Sequence, residues 1–289
     1  MGDGTGVGPL CVVGAGAMGG QIAHQAALYG VDVRLFSRSR ERLDGAQQQC
    51  AGLLRKRVEK GKLDGAECEA ALQRVSTTND LAEALTGAAL VIESVAEDRE
   101  TKRAVMEAIG RHAAADAIIG TNSSTLPSSL FAALVPNDER LLNIHFMNPA
   151  LVMPLVEVVR GAHTSDATVQ AAMSFVRVIG KAPVLVERET FGFVANRILF
   201  IAMQEAFALV ENGFVSISDC DQAVRDGLGW PMGPFAIADL VGLDVVEAIL
   251  EEGHGQTGEE RWTPPALLRE RVARGELGRK RGRGFTLGD

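Results

Sequence analysis

Leu10-Cys11-Val12-Val13-Gly14-Ala15-Gly16-Ala17-Met18-Gly19, residues 10–19, sets four apolar residues directly before a G-x-G-x-x-G pattern. A short apolar run ended by glycine predicts a buried strand, and the spacing that follows, through about Tyr29, predicts a helix. Strand, glycine turn and helix in that order open a dinucleotide-binding unit. Gly14 permits the tight turn, Gly16 lets backbone approach a pyrophosphate, and Gly19 lets the helix pack on the sheet. Ala15, Ala17 and Met18 fill the variable positions, and the helix start offers unpaired N–H groups to an anion. Taken alone, the pattern also fits a glycine-rich turn of no function.

Working outward, Val33–Phe36 reads as a second strand, with further strands at Ala89–Ile92, Ala117–Gly120, Leu141–His145 and Lys181–Val186. Helical stretches lie between them, which predicts a parallel sheet. Residues 40–73 are long, charged and helix-favouring, with Gly61 and Gly65 marking a break, and read as an inserted helical hairpin. From Phe191 the strand signals stop. Helices are expected over 193–212, 216–226, 241–252 and 265–274. The fold class is therefore α/β: a Rossmann-type dinucleotide-binding domain over residues 9–189 with an inserted helical hairpin, then an all-α C-terminal domain over 190–289.

Composition narrows the function classes. A chain of 289 residues suits two domains, and 46% apolar with 23% charged residues suits a soluble globular protein. A net charge of −8 argues against nucleic acid or an anionic membrane as the main partner. No apolar run approaches the roughly 18–20 residues needed to cross a bilayer. The leader MGDGTGVGP lacks the cationic start and apolar core of a signal peptide. Cys11, Cys50, Cys68 and Cys220 show no CxxC spacing, which points to reduced thiols, a cytoplasmic location and no structural metal.

An acid is expected about 20 positions beyond the glycine motif, for the adenosine ribose. The second strand instead ends Phe36-Ser37-Arg38-Ser39-Arg40. A hydroxyl followed by guanidinium groups suits a 2′-phosphate, favouring NADP over NAD; a solvated loop with incidental arginines is the alternative. Glu93 ends the strand at 89–92, with Glu97 and Lys102 beyond it. These two can face the nicotinamide ribose, or form a solvated pair at a helix start.

His145 and Glu157 stand twelve positions apart in NIHFMNPALVMPLVEVV, residues 143–159, each inside an apolar run. A carboxylate in such a run needs a partner, and histidine suits it. A histidine oriented by a carboxylate is a general base for a hydroxyl proton. Thr121–Thr125 and Asn148 follow strand ends, where they line a site or serve as turn chemistry. Asn196 places an amide inside an apolar helix, where it must find partners, either across a domain contact or on a substrate.

The segments GAGAMGGQIA, LVIESVAED, GTNSSTLP, HFMNPALVMPLVEVV, GKAPVLVERETFGFVANRIL, GWPMGPFAIADLVGLD and GRKRGRGF run in order from about residue 10 to 286. Together they resemble the 3-hydroxyacyl-CoA dehydrogenase family, in its short 3-hydroxybutyryl-CoA dehydrogenase form. The resemblance implies His145 as catalytic base and Glu157 as the carboxylate that orients it. It implies Ser124 as a hydrogen bond to the substrate oxygen and Asn196 as an aid in placing the acyl group. Glu97, Lys102, Asn148 and Lys280 match residues the family sets around the dinucleotide. The implied partner is an acyl-CoA thioester, and the implied assembly a homodimer through the all-α domain.

Departures from the family pattern matter. Ser37-Arg38 stands where an acid is usual, and Leu53 where relatives often carry a serine near coenzyme A, though Lys60 keeps a cation nearby. Arg55, Lys56, Arg57, Lys60 and Lys62 can meet coenzyme A phosphates or simply form a solvated helix face. The C-terminal GRGFTLGD lacks the aromatic that usually follows GF. Two other readings stay open at this point: the same dyad acting on a free hydroxy acid or sugar acid, and a redox-inactive structural relative.

Overall fold

A computed structural model describes residues 8–288; most of the expected leader, residues 1–7, lies outside the described residues. The chain forms two compact units, the first ending at Thr190 and the second beginning at Phe191.

In the first unit, β1 (Leu10–Val13) is buried along its whole length. Side chains alternate across a strand, and here the alternation sorts two cores. Leu10 and Val12 join Ile22, Ala23 and Ala26 of α1 (Ala17–Leu28) on one face. Cys11 and Val13 join Val91, Met106 and Ile109 on the other. Burial pushes the Cys11 thiol up to about 12 and the Cys50 thiol to about 11, so neither is ionised near neutral pH.

After β2 (Val33–Phe36) comes the expected hairpin, α2 (Arg40–Glu59) and α3 (Gly65–Gln73). The Ser39 hydroxyl accepts from Arg42 N at 3.2 Å and caps α2. Asp64 caps α3 by accepting from the amides of Ala66 and Glu67, so Gly65 opens that helix instead of breaking it. The unit continues through β3 (Val75–Thr78), α4 (Leu81–Leu85), β4 (Leu90–Glu93), α5 (Arg99–His112), β5 (Ile118–Thr121), β6 (Leu141–Phe146), β7 (Leu155–Val159), α6 (Asp166–Val178) and β8 (Ala182–Val186).

The eight strands form one sheet in the order β3-β2-β1-β4-β5-β6-β7-β8. The first six are parallel, but β7 pairs antiparallel with β6, and β8 runs parallel to β7. The parallel sheet expected from sequence is thus present, with one reversal at β7. Only residues 147–154 join β6 to β7, and a parallel crossover needs about a dozen or more. Strand β3 carries no apolar alternation to announce it, because Ser76, Thr77 and Thr78 sit at an exposed edge.

The second unit is helical: α7 (Ala195–Glu211), α8 (Ile217–Leu228), α9 (Pro234–Val241), α10 (Leu243–Thr257) and α11 (Ala266–Ala273). Phe200, Met203, Phe207, Phe235, Leu250, Trp262 and Phe285 form its core. Two buried carboxylates tie the unit together. Asp221 on α8 accepts from Phe235 N at 2.8 Å and Ala236 N at 2.9 Å, capping α9. Asp239 accepts from the amides of Phe285 and Thr286, holding the C-terminal segment against α9. Helix α9 is absent from the sequence reading, which ran a helix from Val241. Gly242, at φ 104°, separates α9 from α10 at that point.

Candidate functional site

The glycine turn lies between β1 and α1. Gly14 takes φ 120°, and a Cβ there would strike the Ser94 carbonyl, so both backbone and neighbours demand glycine. A Cβ on Gly19 would strike the Gly14 carbonyl oxygen, which lets the helix close on the turn only as glycine. Gly16 differs: a Cβ there would meet nothing within 4 Å. No atom of the described residues requires a glycine at that position, whereas a close-lying ligand would. Gly16 is also the N-cap of α1 and supplies no side-chain cap, while α2, α3, α4, α5 and α6 all carry a Ser or Asp cap. An uncapped helix start behind an open glycine fits a dinucleotide pyrophosphate.

At the end of β2, Ser37 is buried and Arg38 exposed. Asn79 donates to the Ser37 carbonyl at 2.6 Å, and the Ser37 hydroxyl accepts from Ser39 N at 3.3 Å. Arg40 pairs with Asp44 at 3.0 Å. Arg38 enters no hydrogen bond or ion pair with the described residues.

Beyond β4 the polar residues form a network in which Glu93, Lys102 and Ser123 are buried and Glu97 reaches solvent. Lys102 Nζ donates to both Glu93 oxygens, at 2.9 and 3.1 Å, and lies 3.2 Å from Glu97 Oε2. Glu97 Oε1 accepts from Ser123 Oγ at 2.6 Å, Ser124 N at 2.8 Å and Thr125 N at 3.0 Å. Burial works to raise the Glu97 carboxyl, but Lys102 and these donors outweigh it and hold it below the usual carboxylate range. A solvated Glu–Lys pair is thus excluded: Lys102 is 1% exposed. The Ser124 hydroxyl is 3.2 Å from Glu97 Oε1, in a turn that Glu97 gathers.

His145 and Glu157 face each other directly across the β6–β7 ladder. His145 Nδ1 donates to Glu157 Oε2 at 2.9 Å, and both side chains are buried. Because the carboxylate only accepts, the hydrogen resides on Nδ1. The twelve-residue separation is thus the span of a hairpin in register. Nearby, Asn122 Oδ1 accepts from Phe146 N at 2.9 Å and joins the end of β5 to that of β6. Asn148 is exposed in the loop that follows.

Lys60 is exposed at the C-terminal end of α2. In the second unit, Asn196 lies in helix α7 as expected, but in its first turn, and is partly exposed instead of buried. Helix α7 starts two residues later than the apolar spacing suggested, and this moves Asn196 to its open end. Lys280 pairs with Asp244 in the first turn of α10.

Sequence reasoning noted Glu93 only as a strand end and missed Asn143, whose amide accepts from Ser128 N at 2.8 Å and donates to the Leu126 carbonyl at 3.1 Å. The signal for Glu93 was present: a carboxylate closing an apolar run, the same feature that marked Glu157. No helix among the described residues is long and apolar enough to cross a membrane.

A glycine turn at a switch point of a mostly parallel sheet, with a buried histidine–carboxylate pair toward its carboxyl edge, marks a dinucleotide-binding type of α/β unit followed by a helical unit. Residues 9–190 match the family described as 3-hydroxyacyl-CoA dehydrogenase, NAD binding domain, and residues 192–287 that described as 3-hydroxyacyl-CoA dehydrogenase, C-terminal domain. The chain belongs to the 3-hydroxyacyl-CoA dehydrogenase family. It is 37% identical over 276 residues to a probable 3-hydroxybutyryl-CoA dehydrogenase of Bacillus subtilis, covering 96% of each chain. It is 36% identical over 275 residues to a 3-hydroxybutyryl-CoA dehydrogenase of Mycobacterium tuberculosis, covering 95% of this chain and 96% of that one. Among solved structures, the (S)-3-hydroxybutyryl-CoA dehydrogenase of Ralstonia eutropha is similar with a TM-score of 0.93 at 33% identity, covering 97% of this chain and 99% of that chain.

Proposed function

We propose that this protein interconverts L-3-hydroxyacyl-CoA and 3-ketoacyl-CoA with a nicotinamide cofactor, preferring NADP over NAD. The observation that carries the reading is the cross-strand His145–Glu157 pair, on the sheet that also bears the glycine turn. A bound nicotinamide supplies the hydride acceptor, or the donor in reverse. His145 takes the 3-hydroxyl proton in oxidation and returns it to the oxygen in reduction. With Nδ1 held by Glu157, Nε2 is the nitrogen that exchanges this proton, and the Glu157 carboxylate offsets the charge the ring acquires. Ser124 hydrogen-bonds the substrate oxygen, and Lys60 meets coenzyme A phosphate. Glu97, Lys102 and Asn148 serve the dinucleotide; on the second unit, Asn196 serves the acyl group and Lys280 the dinucleotide.

The preference for NADP rests on Ser37 and the exposed Arg38 at the end of β2. Removing a charge-assisted contact to a 2′-phosphate with Arg38→Ala is expected to lower kcat/KM for NADPH roughly 10- to 100-fold. The value for NADH should stay unchanged. Equal losses with both cofactors, or a wild-type enzyme that favours NADH, would remove this assignment.

In this reading residues 9–189 bind the dinucleotide, and residues 190–289 bind substrate and join two copies as a homodimer. The second unit exposes Ile198 at 60%, Leu228 at 69% and Leu240 at 49%, apolar residues of the kind that mark interaction surfaces. Sedimentation should give a dimer at micromolar concentration; a stable monomer contradicts the assembly. A cytoplasmic location is part of the proposal, supported by four buried, unpaired cysteines, and cell fractionation checks it.

A further inference from the structure

Glu93 takes no part in the proton transfer proposed above, yet it is a fully buried carboxylate held by several donors at the sheet edge. It is fully buried, accepts from Lys102 Nζ on both oxygens, and also accepts from Thr121 Oγ1 at 2.6 Å and Val95 N at 2.7 Å. An ammonium bridging both oxygens, with a backbone N–H on one of them, is the partner set of an ionised carboxylate. The same ammonium is also the ion-pair partner of Glu97. No other cation pairs with either carboxylate among the described residues. Two negative groups therefore share one positive group, and the cluster carries one uncompensated negative charge.

The position of that charge follows from the register. Glu93 is the Cα partner of Val13, the residue before Gly14, and the Gly14 backbone packs against the Ser94 carbonyl. Strand order reverses direction between β1 and β4, the switch point at which open α/β sheets bind ligands. An oxidised nicotinamide ring is cationic and a reduced one is neutral. The Glu93 end of the cluster is buried and so weakly screened, and its charge distinguishes the two without touching either.

We propose that the uncompensated charge of Glu93, Lys102 and Glu97 sets the redox preference of cofactor binding, favouring the oxidised nicotinamide over the reduced. This rests on the reading of the glycine turn as a nicotinamide dinucleotide site. Glu93 acts through the field of the cluster and is a positioning residue, not a catalytic one. A merely structural Glu93 would, on substitution, weaken both redox forms alike.

Calorimetric titration of the intact protein with NADP+ and with NADPH tests the proposal. Both forms carry the same phosphates, riboses and adenine, so the ratio of their dissociation constants isolates the ring. In Glu93→Gln the ratio of oxidised to reduced dissociation constants is expected to rise about tenfold, and in Glu93→Asp, which keeps the charge, to stay within about twofold. If Glu93→Gln fails to fold, Glu97→Gln removes the same unit of charge from a partly exposed position and should shift the ratio in the same direction. Unchanged ratios in the glutamine variants overturn the proposal while leaving the cofactor reading intact. Failure of the wild type to bind either form, with NAD+ and NADH included, overturns both.

Discussion

His145→Gln is expected to lower kcat for L-3-hydroxyacyl-CoA oxidation about a thousandfold, within the range that a positioned general base contributes. Glutamine fills most of the volume but cannot take the hydroxyl proton. Binding should survive, because no atom that holds the dinucleotide has been altered, so the nucleotide dissociation constant should move less than about threefold. Glu157→Gln should fall between the two, with a loss of about 10- to 100-fold. Its amide oxygen can still accept from Nδ1 and hold the ring, but it no longer offsets the ring's charge. Steady-state kinetics paired with nucleotide titration separates these effects. A His145→Gln enzyme with wild-type kcat would remove the dyad from the mechanism.

The second large effect separates two glycines of one motif. Gly19→Ala gains about 1 kcal/mol in helix propensity, but its Cβ collides with the Gly14 carbonyl oxygen. Backbone cannot yield there without dragging β1 away from its partners, so a net loss of about 2–3 kcal/mol in unfolding free energy is expected. Gly16→Ala meets open space, and its cost to the fold is about 1 kcal/mol or less, that of alanine at an N-cap. Its effect should fall on the ligand, with dinucleotide affinity reduced at least about tenfold, since the pyrophosphate approaches where the new methyl stands. Denaturant unfolding and nucleotide titration on both variants check the contrast. If Gly16→Ala binds dinucleotide as well as wild type, the turn is only structural.

How much was legible in the sequence follows from how local each signal was. The strand, turn and helix over residues 10–28 sit in consecutive residues, and so does the hairpin at 40–73. The His145–Glu157 pair was legible because a carboxylate in an apolar run declares a need for a partner, although the register that joins them could not be seen. What escaped depends on distant residues. Helix α9 is short, and its cap comes from Asp221 on the preceding helix. Strand β3 is held by pairing with β2 along a polar edge. The antiparallel turn into β7 follows from the short connection after β6, a constraint that acts only once both strands are placed. The sequence left Lys102 between a cofactor contact and a solvated pair; its burial depends on Glu93 and Glu97, nine and five positions upstream.

The central claim is that the dyad serves a 3-hydroxyacyl thioester. Initial rates of reduction of acetoacetyl-CoA and of free acetoacetate, each with NADPH and with NADH, test it most directly. Coenzyme A contacts contribute binding energy that a free acid lacks, so the thioester should show a kcat/KM at least about a thousandfold higher, and higher with NADPH. Equal or faster turnover of the free acid, or no turnover of the thioester with either cofactor, would contradict the account.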